Sequence, residues 1–213
     1  MKKTVLAAIL ACTLAMGGAL VGCSANSNTG TTGNFKEDTA DGVVAISSIK
    51  DEPNPMGAKV TKLSSSDLTK LQNEMIALTN EARDDRGRAD LRKATRLQKS
   101  SKIRAAELDR RWSHTRPNGT KWSTTLKTAG IKMKNISYGE NLAMICLGAR
   151  ADYTDKMLET LAEDLHDGLM GSTSHRNTLL RSKYKYVGIS AWSTVEDGLL
   201  YVYVTEHFTN KKA

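Results

Sequence analysis

Four histidines and a cysteine deep in the chain, Cys146, are the side chains here that could act as ligands, proton carriers or nucleophiles. His114 stands in RWSHTRPNGTKW, residues 111–122, directly ahead of Arg116-Pro117-Asn118-Gly119. That tetrapeptide reads as a turn, because proline presets φ at the second turn position and Asn-Gly tolerates positive φ afterwards. The ring is therefore held just before a rigid corner, either as a hydrogen-bonded packing residue among aromatics or as a ligand. His166 flanks an apolar helical stripe and reads as a partly exposed edge residue. His207 alternates with Tyr201, Tyr203 and Thr205 along one strand face, so it borders a cleft or, more simply, packs beside those rings. Cys146 lies in the apolar run LAMICLG, where a buried small hydrophobe is the simpler reading than a thiol nucleophile.

Helices and strands must bring such residues together. Ser66 is a plausible N-cap for a helix whose Leu68, Leu71, Met75, Leu78 and Ala82 recur three or four apart on one face, ending near RDDRGR. A second helix is expected from Thr95, with Leu97, Ser101, Ala105 and Leu108 as a stripe of smaller residues suited to close packing. Thr154 can cap a third, lined by Met157, Leu158, Leu161, Leu165 and Leu169, and Ser174 a fourth, shorter one carrying HRNTLL. Two strands follow, YVGISAWS and LLYVYVTEHF, joined by TVEDG, whose Asp197-Gly198 pair is a hairpin signal. Helices first and a hairpin last predict an α+β domain in which helices cover an antiparallel sheet.

The amino-terminal third has another character. Residues 1–22 read as an export signal, with Lys2 and Lys3 ahead of a charge-free apolar run too short for a spanning helix. Residues 23–65 read as a tether: SANSNTGTTGN has spacer composition, GVVAISSI could pair as a local strand, and DEPNPMG interrupts the stretch. The organised domain is then expected over 66–213. The chain has 31 basic and 23 acidic residues, a net charge of +8. It carries no nucleic-acid-binding motif, and for an exported chain this excess is read as a solvated surface.

Two resemblances sharpen this. The ending LVGC, Leu20 to Cys23, resembles the lipobox of bacterial lipoproteins, which implies cleavage before Cys23 and a diacylglyceryl group on its thiol. Two or more acyl chains anchor a protein stably where one does so only marginally, so the expected location is the outer side of the cell membrane. Cys146 would then be left without an intrachain disulfide partner. Further along, SHTRPNG at 113–119, YGENLA at 138–143, HRNTLL at 175–180, YVGIS at 186–190 and YVYVTEHF near the end resemble, in that order, the CAP superfamily of cysteine-rich secretory, antigen 5 and pathogenesis-related 1 proteins in its bacterial SCP-like form. The likeness covers about residues 67–208.

That resemblance implies an α-β-α sandwich with a central cleft lined by two histidines and acidic residues that often hold a divalent ion. Carried over by motif, the histidines fall on His114 and His175 and the first acid on Glu140. A second acid is expected shortly before His175, but GLMGSTSH has Leu169 at the aromatic position and Ser172 where that acid would fall. Neutral imidazoles and a carboxylate suit Zn²⁺ or another divalent cation, with one position open to a ligand. In the first turn of its helix, His175 would be kept neutral by the positive end of the dipole. The implied function is a membrane-tethered binding domain whose cleft recognises lipid, peptide or cell-wall material. The alternative is a hydrolase in which the same set activates water through a metal or as a general base, although no motif places a serine, threonine or cysteine nucleophile.

Overall fold

Asp197 and Gly198 both take positive φ, 50° and 77°, and reverse the chain within two residues, as the sequence predicts. The hairpin they close belongs to a mixed sheet in the computed structural model, which describes residues 37–38, 42–50 and 59–212. In chain order the elements are β1 (Glu37–Asp38), β2 (Gly42–Ala45), α1 (Ser65–Asp84), β3 (Arg92–Lys93), α2 (Thr95–Ala105), α3 (Thr124–Thr128), β4 (Tyr138–Gly148), α4 (Asp155–Gly171), α5 (Thr173–Leu179), β5 (Tyr186–Glu196) and β6 (Leu199–Thr209). The export segment, Cys23 and the first part of the expected tether lie outside the described residues.

The strand order is β1-β2-β4-β6-β5-β3. The central trio β4-β6-β5 is antiparallel, as expected, but β2 runs parallel to β4 and β3 parallel to β5. The sheet is therefore mixed rather than antiparallel throughout. The reason is connectivity: β2 and β3 are linked to their partners through long helical segments, the kind of crossover that parallel pairing requires. GVVA, read as a local element of the tether, is a strand of this sheet, with Val43 opposite Ala143 and fully buried.

Side-chain alternation assigns the helices to two layers. Ala143, Ile145, Val187, Ile189, Val202 and Val204 pack with Leu71 and Met75 of α1 and Leu158, Leu161 and Leu165 of α4 in the larger core. On the other face, Leu97 of α2 and Leu126 of α3 form a smaller core with Ile131. The result is the expected α-β-α sandwich, and it explains why β6 is buried along nearly its whole length. A strand covered on both faces shows a continuous apolar run instead of alternation. β4 behaves the same way.

Helix boundaries moved slightly from the sequence reading. α1 is capped by Ser64, not Ser66, through a reciprocal capping box with Asp67. Thr154 does cap α4, its hydroxyl accepting from the Met157 amide, while α5 starts from Ser172 rather than Ser174. At the far end of α1 the buried Arg83 donates to the carbonyls of Ala89, Leu179, Arg181 and Tyr184, which ties α1 to the segment following α5. His166, expected at an exposed edge, is 6% exposed because it shares the buried side of α4 with Leu165 and Leu169. Cys146, expected to be buried, is only half-buried, since it projects to the face covered by the shorter α2/α3 layer.

Candidate functional site

Register brings the first two groups together. In the β4/β6 ladder Glu140 lies directly opposite His207, so their side chains project from the same face, the one covered by α2. His207 Nε2 is 2.9 Å from Glu140 Oε2, and His114 Nδ1 is 2.8 Å from Glu140 Oε1. Arg104 from α2 adds a third partner, donating from Nε to Oε2 at 3.0 Å. Glu140 and Arg104 side chains are fully buried, whereas His114 remains 34% exposed.

The corner ahead of Pro117 does what its residues predict. Gly119, at φ 78°, donates its amide to the Arg116 carbonyl at 2.8 Å, and the Trp122 amide donates to the His114 carbonyl at 3.1 Å. The two ends of RWSHTRPNGTKW are thereby closed on each other, and His114 is aimed at β4. The Arg116 guanidinium grips Glu107 at 2.7 to 3.1 Å, and Glu107 in turn accepts from Arg104 at 3.1 Å. Two arginines and two glutamates thus alternate from the loop to the sheet. Trp122 lies over His207 with ring centroids 4.9 Å apart and meets Tyr138 edge-on at 5.5 Å.

Electrostatics follow from this arrangement. Burial by itself would raise the Glu140 carboxyl, but hydrogen bonds from His114 and His207 and the positive charge of Arg104 outweigh it and hold the group at about 2. Glu140 is therefore a carboxylate, which can only accept, so both imidazoles must donate to it. Burial pushes His207 below its ordinary range despite the neighbouring Glu140, and its ring at neutral pH is the neutral Nε2–H form. Nδ1 of His207 then keeps a lone pair with no hydrogen-bond partner. For His114 the donated proton sits on Nδ1, so Nε2 is the nitrogen of this partly exposed ring that is left for contacts beyond the cluster.

His175 reaches β4 from the other direction. Its backbone carbonyl accepts from Asn141 Nδ2 at 3.2 Å, and Asn141, next to Glu140 on the strand, projects to the opposite face. The His175 ring is buried, with Nδ1 2.7 Å from the hydroxyl of Ser172. Ser172, the residue at the position of the expected second acid, thus sets a neutral hydroxyl against this imidazole. Asn141 also donates to Glu206 at 3.0 Å, and burial pushes that glutamate up to about 7 against the pull of this bond.

Divalent-metal ligation was the resemblance's expectation for His114, Glu140 and His175. Among the described residues, no group of three His, Cys, Asp or Glu side chains is arranged to hold a metal ion. Both Glu140 oxygens are already occupied, one of them by a guanidinium whose charge opposes a cation, so the residues as placed do not fit the group.

Sequence reasoning singled out His114, Glu140 and His175, left His207 either bordering a cleft or packing beside the tyrosines, and missed Arg104. For Arg104 a signal existed: it follows Ser101 by three positions on the small-residue stripe of α2, a charge facing inward. For His207 strand alternation offered both readings, and the β4/β6 register, which sets it opposite Glu140, decides between them.

The family model described as the cysteine-rich secretory protein family, CAP, matches residues 76–208, and the chain belongs to this family. Solved structures to which the chain is similar include an extracellular SCP-domain protein from Bacillus anthracis str. Ames, at 17% identity over 71% of this chain and 45% of that one, with a TM-score of 0.49. A cysteine-rich secretory protein from Staphylococcus aureus subsp. aureus Mu50 shares 20% identity over 71% of this chain and 42% of its own, with a TM-score of 0.48. An outer surface protein of Borrelia burgdorferi is 18% identical over 72% of this chain and 100% of its own, also at 0.48. This chain spans less than half the length of the first two. No curated protein matches.

Proposed function

We propose that the chain is an extracytoplasmic binding domain of the CAP type, held at the membrane through a lipidated Cys23. It would recognise a polar ligand, from lipid, peptide or cell-wall material, at the exposed edge of His114. The observation that carries this reading is the saturation of Glu140, whose two oxygens are engaged by His114, His207 and Arg104. A carboxylate so held is poorly suited to give or take a proton in a reaction. It serves to orient His114 and present Nε2 outward. Trp122 and Tyr138 supply neighbouring apolar surface of the kind polar ligands pack against.

A second reading has one observation in its favour: a histidine oriented by a carboxylate at 2.8 Å is also the base half of a hydrolytic site. The two separate by experiment. Wall fragments and peptides are titrated calorimetrically into the wild type and His114→Ala, and the same mixtures are assayed for turnover. Binding without turnover, lost in His114→Ala, is the expected result. Turnover abolished by both His114→Ala and Glu140→Gln in folded protein would replace binding with hydrolysis.

A further inference from the structure

The two helical layers carry opposite charge, and we propose that the α2/α3 layer is a docking face for an anionic lipid bilayer. Residues 91–137, which contain α2, α3 and their connections, hold thirteen Lys or Arg against two acids, Glu107 and Asp109. Two of those bases, Arg104 and Arg116, are consumed internally by Glu107 and Glu140. The others include Arg92, Lys93, Arg96, Lys99 and Lys102, all exposed, and no acid lies between Asp90 and Glu107. Among the described residues none of these five makes an ion pair. Lys93, Lys99 and Lys102 surround a depression of about 350 Å³ with Gln98 and Thr95.

Compared helix for helix, the opposite layer has the reverse balance. α2 and α3 carry five bases and no acid, whereas α1 and α4 carry nine acids and three bases, and two of those bases, Lys70 and Lys156, are paired to Asp155 and Glu159. The net positive charge is thus not a uniform solvated surface but one end of a dipole across the sandwich. Such a molecule orients in the field of a charged plane, with the basic layer drawn in and the acidic layer facing away.

A bilayer fits better than a ligand that needs a groove, because the cations are spread over β3, the outer side of α2 and the connections beyond it. Only Ile46 and Tyr138 are exposed large hydrophobics among the described residues, so attachment is electrostatic, without an inserted wedge. Thirteen residues separate Cys23, the expected lipid attachment point, from Glu37 of β1. The basic layer would set the orientation of the domain against the bilayer. Attraction of this kind fades within a Debye length and is weakened by salt.

The test uses the chain from residue 23 onward with Cys23→Ser, so that neither the apolar export segment nor an acyl anchor contributes, in co-sedimentation with vesicles. Partition onto phosphatidylcholine vesicles containing about one-third phosphatidylglycerol is expected to exceed that onto pure phosphatidylcholine at least ~10-fold at low salt, and to fall as salt rises. The double variant Lys99→Glu/Lys102→Glu is expected to lose most of this partition. Lys70→Glu/Lys156→Glu makes the same change in net charge on the opposite layer and is expected to keep it. All four side chains are exposed, so unchanged melting temperatures should show both variants folded. Equal losses in the two double variants, or equal partition onto the two vesicle types, would overturn the proposal. So would capture by soluble polyphosphate from a chain that ignores the anionic vesicles.

Discussion

At the scale of single residues, the site is governed by a buried carboxylate that has more partners than oxygens. Glu140 removed from Arg104 would leave a fully buried guanidinium facing only Glu107 and the Ser113 carbonyl. Breaking a buried pair from one side typically costs about 3–5 kcal/mol. Glu140→Gln is therefore expected to lower stability by about 3 kcal/mol in a denaturant titration. The pH dependence has a defined sign: Glu140 ionises below its ordinary 4.5, so its stabilisation is present above that value and is lost as pH falls toward about 2. Glu206 has the opposite sign. Its folded value of about 7 exceeds 4.5, so the folded protein holds the proton more tightly, and stability is lost as pH rises from 4.5 through about 7. Glu206→Gln should therefore melt higher than wild type at pH 8, by roughly 3 °C or more, and show little gain at pH 4.5. A gain of equal size at both pH values would show that Glu206 does not titrate in this range. The sequence motifs pointed to His114 and Glu140 because a turn and a strand edge advertise themselves locally. His207 stayed between two readings and Arg104 escaped because their roles arise from pairing across 67 and 36 residues of chain, which no local pattern records.

At the scale of elements, the position of α2 decides whether the network can exist. Gly188 on β5 lies against the α2 backbone, and a methyl group there would meet the Leu97 carbonyl carbon and the Gln98 nitrogen at 2.3 Å. Gly188→Ala must push the helix off the sheet, and with it Arg104. It is expected to cost about 3 kcal/mol and to disturb the His114 and His207 ring resonances together. Gly198→Ala strains only the hairpin turn at φ 77°. It is expected to cost about 1 kcal/mol and leave those resonances in place. Unmoved imidazole signals in a folded Gly188→Ala variant would show that α2 does not hold the cluster. The hairpin, the cap at Thr154 and the apolar faces of α1 and α4 were legible because each is written in neighbouring residues. β4 was read only as motif plus apolar run, since YGENLAMICLG is buried on both faces and shows no alternation. β2 was legible as a local strand within GVVAISSI, but its place beside β4 was not, because that parallel pairing spans about a hundred residues of chain.

At the scale of the whole molecule, the sandwich is chemically asymmetric. Its acidic layer covers the larger core, and its basic layer covers the smaller core and the Glu140 cluster. Composition gave the net charge but not its division, because the basic run at 91–137 and the acidic helices on either side of it become opposite faces only when the sheet forms between them. The same layering puts His114 on the basic side, its ring supported from within by Glu140 and open on its outer edge. Nitrogen-detected NMR of the histidine side chains tests this arrangement most directly. The account predicts that neutral His114 carries its proton on Nδ1 with Nε2 bare, and that His207 carries its proton on Nε2 throughout the neutral range. A neutral His114 protonated on Nε2, with Nδ1 bare, would contradict it.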